Sequence, residues 1–96
     1  MKRYTHKKDD THVIMIDDVK IENGFISGEA IDRLAKFESF YDEIEKAQNE
    51  ISLQLDELRN EGKEKTVQFR ELFTKKLVNN NVLAFLRFHG LSDKKI

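Results

Sequence analysis

The 96-residue chain contains no cysteine and no proline, only four glycines, and no apolar run near the roughly 20 residues that span a bilayer. Without cysteine there is no disulfide and no thiolate metal site, and a reducing compartment suits the chain. Without proline nothing breaks a helix from within. Gly24, Gly28, Gly62 and Gly90 are scattered, each where a turn or helix cap would use it, so no glycine-rich phosphate loop is present. The basic start Met1 to Thr5 leads into His6-Lys7-Lys8-Asp9-Asp10 and not into an apolar segment, so a cytoplasmic protein without a membrane anchor is expected. Hydrophobic residues make up 39% and charged residues 36%, enough for one modest core but not for a deep pocket beside it.

What is present is a long helical pattern. From Ala30, apolar positions recur at alternating steps of four and three through Leu34, Phe37, Tyr41, Ile44, Ile51, Leu55 and Leu58, with Gln48 as the one polar gap. That is a coiled-coil seam. The residues between are mostly Asp, Glu, Lys and Arg, while Phe40, Ala47 and Leu53 lie off the seam and widen the apolar face. Ser27 can cap the start, and Gly62 can take the left-handed conformation that ends the helix.

The remaining elements are short. Val13 to Ile16, Val19 to Glu22 and Phe25-Ile26 read as brief strands, with Asn23-Gly24 as a tight turn and Val13, Met15, Val19, Ile21 and Phe25 as the face that packs on a helix. Past a charged linker, Thr66 can cap a second helix with Phe69, Leu72, Phe73 and Leu77 on one face. Asn79-Asn80-Asn81 then leaves one helix or two open, and Gly90 with Leu91 suits a Schellman ending. The expected fold is α+β, mainly α: a short N-terminal β-hairpin or meander, one long coiled-coil-like helix, and a C-terminal helical hairpin partner. As one domain over 1–96, it has a flexible arm at 1–10, a β-rich leader at 11–26, the long helix at 28–61 and one or two shorter helices within 66–89.

Charge is sorted along the chain although the net is only -1. Residues 31–60 carry -4 and residues 61–96 carry +4. Asp42, Glu43, Glu45 and Glu50 are candidates for an acidic contact with a basic partner, and Lys63, Lys65, Lys75 and Lys76 for a basic one. The lysines lie near Phe69 and Phe73, but four acidic residues dilute them, so direct binding of nucleic acid is the weaker expectation.

Three blocks carry a resemblance: the start Met1 to Thr5, the segment Ala30-Ile31-Asp32-Arg33-Leu34-Ala35-Lys36-Phe37-Glu38, and Glu61 to Leu91 with its Gly62-Lys63-x-Lys65-Thr66-Val67-x-Phe69-x-Glu71-Leu72 run, Lys76-Leu77 and terminal Gly90-Leu91. In these the chain resembles small accessory proteins of phages and prophages of low-GC Gram-positive bacteria. The resemblance implies action inside an infected or lysogenic host, a setting where inhibitors of host defence, including anti-CRISPR proteins, are common. It carries over no catalytic residue.

Nothing in the sequence assembles a reaction centre. His6 and His12 with Asp9 and Asp10 match no standard zinc spacing, the serines support no nucleophilic triad, and the carboxylates of the long helix belong to a solvated surface. The expectation is therefore no enzyme, no cofactor and no metal, but a protein that binds another protein. In its most concrete form it inhibits a host defence nuclease, an acidic helical surface standing where phosphates would sit in a basic channel. The alternative is a structural or regulatory coiled-coil oligomer, with a homodimer as the simplest case.

Overall fold

A computed structural model describes residues 1–93. The chain forms two short β-hairpins followed by two helices, an α+β architecture that is mainly α. It divides into two compact units, Met1–Ser39 and the remainder from Phe40, so the boundary falls inside the first helix.

In the first unit, β1 (His6–Lys8) pairs antiparallel with β2 (Thr11–Val13), and β3 (Lys20–Glu22) pairs antiparallel with β4 (Phe25–Ser27). Each hairpin turns on a two-residue loop. Asp9 opens the first at φ 55°, and Asn23 and Gly24 form the second at φ 48° and 82°, the doubly left-handed turn that matches the twist of paired strands. β1 thus occupies part of the stretch expected to be an arm. The apolar run Val13 to Ile16 is not one strand either: Val13 ends β2, and Ile16–Asp18 is a turn of 3-10 helix closed by the Asp18 amide on the Met15 carbonyl at 3.0 Å.

The expected packing face is only partly realised. Val13 and Val19 are half-buried, whereas Met15, Ile21 and Phe25 are exposed. Three-residue strands present too little of one face to shelter large side chains.

The helix α1 (Glu29–Asn60) follows β4 directly. Ser27 belongs to β4, and it is the Gly28 carbonyl that accepts the first helical bond, from the Asp32 amide at 3.0 Å. Glycine is required there. At φ 140° a Cβ would stand 2.9 Å from the Asp18 carbonyl oxygen.

In the second unit α1 turns back into α2 (Val67–Phe88), a single helix that runs through Asn79, Asn80 and Asn81. α1 ends in a Schellman motif: the Lys63 amide donates to the Leu58 carbonyl (2.8 Å) and the Gly62 amide to that of Arg59 (3.0 Å), with Gly62 at φ 70°. α2 ends the same way at Gly90, although the Leu91 side chain stays exposed. Thr66 caps α2 by accepting from the Phe69 amide at 3.2 Å.

Three contacts set the antiparallel register of α1 and the chain after it. The Arg59 guanidinium lies over the Phe69 ring, Gln48 Nε2 donates to the Lys76 carbonyl (3.1 Å) and to Asn80 Oδ1 (2.6 Å), and the Tyr41 and Ser92 hydroxyls are 2.6 Å apart. The core is small. Ile51, Leu55 and Leu58 are buried, and Tyr41, Ile44 and Gln48 are half-buried on the same line.

On α2 the half-buried line runs through Phe69, Leu72, Lys76, Asn79, Leu83 and Leu86. Phe73 and Leu77, expected on that face, are exposed. Register decides this: once Gln48 is bonded to the Lys76 carbonyl and Asn80, the side of α2 bearing Phe73 and Leu77 is turned away from α1. Among the described residues no helix is long and apolar enough to cross a membrane.

Candidate functional site

Two depressions of about 310 and 270 Å³ are open to solvent. The larger belongs to the first unit and is lined by Tyr4, Glu29, Asp32, Arg33 and Lys36. There Tyr4 donates its phenolic hydrogen to Glu29 Oε2 at 3.0 Å, Lys2 stands 3.5 Å from the same oxygen, and Arg33 donates to the Lys2 carbonyl while its guanidinium covers the Tyr4 ring. The Tyr4 hydrogen bond, the charge and hydrogen bond of Lys2, and the charge of Arg33 hold the Glu29 carboxyl below the usual range. These partners tie the N-terminal residues to the first turns of α1. The Lys2 and Arg33 cations and the Glu29 carboxylate there offset one another's charge.

The first hairpin does not gather the histidines. In the register His6↔Val13 and Lys7↔His12, His6 and His12 stand on opposite faces of the ribbon. Among the described residues no group of three potential metal ligands comes together.

The acidic candidates lie on a continuous helix, but not on one face of it. With 3.6 residues per turn, Asp42 and Glu45 fall to one side of the half-buried line Tyr41–Ile44–Gln48 and Glu43 and Glu50 to the other. Glu43, Glu50 and Glu57 recur every seven residues in an exposed column. Glu45 is half-buried and engaged, so it is not part of an open carboxylate array. Between Phe40 and Leu58 α1 carries six acidic residues against the single Lys46.

The basic candidates are more dispersed. Lys63 is paired with Glu61 at 2.8 Å, Lys65 lies in the linker between the helices, Lys75 is exposed on α2, and Lys76 is half-buried on the side facing α1. They do not form one positive face.

Of the seam residues, Ile51, Leu55 and Leu58 are buried and Phe37, Tyr41 and Ile44 half-buried, whereas Leu34 is exposed. A seam made by periodicity buries its residues only where another element reaches them.

Exposed apolar surface extends beyond the α1 seam. In the first unit Ile16, Ile21, Phe25 and Ile26 are exposed, and in the second Val67, Phe73, Leu77, Val78, Phe85 and Phe88. The sequence does hold a signal for the latter, since residues 77–86 form a run of ten without a charge. Comparison of the chain with protein-family models, curated proteins and solved structures finds no match.

Proposed function

We propose that the protein acts by binding another protein, and that the acidic surface of α1 is directed at a basic, nucleic-acid-binding surface, as in an inhibitor of a host defence nuclease. The observation that carries this reading is the exposed column Glu43, Glu50 and Glu57, on a stretch of α1 whose only cation is Lys46. Successive members of the column are about 10 Å apart along the helix axis, a rigid line of negative charge that needs no ordering on contact. The resemblance to phage accessory proteins supplies the setting. The dispersed lysines weigh against direct binding of nucleic acid, which needs a concerted positive face.

The test is interference by a defence nuclease in bacterial cells, together with binding of the purified nuclease. The parent protein should restore transformation by a targeted plasmid and bind the nuclease with an affinity that falls as salt rises. Glu43→Gln, Glu50→Gln and Glu57→Gln combined should leave helicity unchanged and lose both effects. Inhibition that survives the triple substitution would remove the acidic column from the mechanism. A parent protein without effect on, or affinity for, any nuclease tested would overturn the inhibitor reading.

A further inference from the structure

α2 is apolar on more sides than α1 covers. By helical geometry, Phe73, Leu77, Ala84 and Phe88 fall within a sector of about 60°, turned about 90° from the half-buried line through Phe69 and Leu83. Phe73, Leu77 and Phe88 are 42%, 48% and 75% exposed. In a chain whose residues are 36% charged, this sector has no ionisable side chain between Arg70 and its end at Phe88. A helix apolar around its circumference is an interior helix, and a single neighbour leaves α2 short of that condition.

We propose that this outer face of α2 is a self-pairing surface, on which a second copy of the chain docks antiparallel about a two-fold axis passing between Asn80 and Asn81.

The spacing of the side chains selects a second copy over an unrelated partner. About a two-fold axis at that point, Phe73 lies level with Phe88 of the partner subunit and Leu77 with Ala84 of the partner subunit. The large Leu77 meets the small Ala84 twice, so the middle of the contact closes without a clash or a void, and aromatic rings seal both ends. The two Asn81 side chains come side by side at the axis, where an amide is its own complement as donor and acceptor and a central asparagine fixes register. An unrelated partner requires no such symmetry in the sequence.

From their fractional exposures, Phe73, Leu77 and Phe88 offer about 300 Å² of apolar surface per copy, so the apolar centre of a paired contact is about 600 Å² over two copies. That is the size of a small, reversible contact, which is why the pairing is sought at micromolar concentrations. Pairing leaves the acidic column of α1 out of account, so it stands or falls apart from the nuclease reading.

Sedimentation of the full chain over about 10 to 200 µM, with circular dichroism alongside, tests the proposal. The parent should approach twice 11.3 kDa. Ala84→Glu should be helical and monomeric, and Leu77→Lys combined with Ala84→Glu should recover the dimer, because each lysine then faces a glutamate of the other copy. The chain has no thiol of its own, so Asn81→Cys should oxidise to a covalent dimer about tenfold faster than Leu53→Cys on α1, an effect of local concentration at the axis. A parent that remains monomeric over the whole range overturns the proposal. So does a dimer indifferent to Ala84→Glu, or, should that variant unfold, Asn81→Cys crosslinking no faster than Leu53→Cys.

Discussion

Tyr4 and Gln48 show what single side chains do in a protein with so small a core. The Tyr4 hydroxyl and the Lys2 ammonium hold Glu29 ionised below its usual range, so the contact contributes to stability above the ordinary carboxylate pKa. That contribution is lost as pH falls through the lowered value of the folded state. In Tyr4→Phe, NMR titration of the Glu29 carboxyl should show its pKa moved up towards the ordinary value; an unchanged midpoint would mean that Lys2 and Arg33 suffice. Gln48 poses a different balance. Its Nε2 is bonded twice, but its Oε1 is buried without a partner, and an unsatisfied buried acceptor costs about 1 to 3 kcal/mol. Gln48→Leu removes that cost. The helical carbonyl of Lys76 and the exposed Asn80 amide lose little, so urea unfolding should show stability raised by about 0.5 to 1 kcal/mol.

At the scale of elements, the caps and turns were legible because their chemistry is local. Asn23-Gly24 needs only its own backbone to make a hairpin turn, and Gly62 and Thr66 mark a helix end and a helix start whatever surrounds them. Thr66→Ala should accordingly cost about 1 kcal/mol in chemical denaturation, since the Phe69 amide then loses its acceptor. α1 was equally legible, its seam repeating over nine positions. The buried side of α2 was not. With Phe69, Phe73, Leu77, Val78, Phe85 and Phe88 spread around the helix, periodicity selects no single face, and the choice of a line through Lys76 and Asn79 is made by register against α1. β1 escaped for the opposite reason: His6-Lys7-Lys8 has no apolar alternation, and pairing with Thr11–Val13 across a left-handed Asp9 makes it a strand. Of the candidate surface, the sequence carried the acidic excess of α1. It could not carry the half-burial of Glu45 or the split of the four carboxylates onto two flanks, because both depend on which side of α1 is covered.

At the scale of the whole molecule, charge and apolar side chains are laid out on exposed helix faces. The depression at Tyr4 and Glu29 is open to solvent, while columns of charge and uncovered apolar faces occupy the helix surfaces. Large side chains remain exposed in both units, from Phe25 at 77% to Phe88 at 75%. Burial along α1 is also uneven. Ile51, Leu55 and Leu58 near the Gly62 turn are buried, whereas Tyr41 and Ile44 farther from it are half-buried. The turn therefore joins residues close in sequence, such as Arg59 and Phe69, while Tyr41 must find Ser92 across 51 residues. Closure is cheapest at the turn, and the helical hairpin should zip from there outward and open in the reverse order. In native-state hydrogen exchange the amides around Leu55 and Leu72 should then be the slowest, and those near Tyr41 should be released by partial opening long before the rest unfolds.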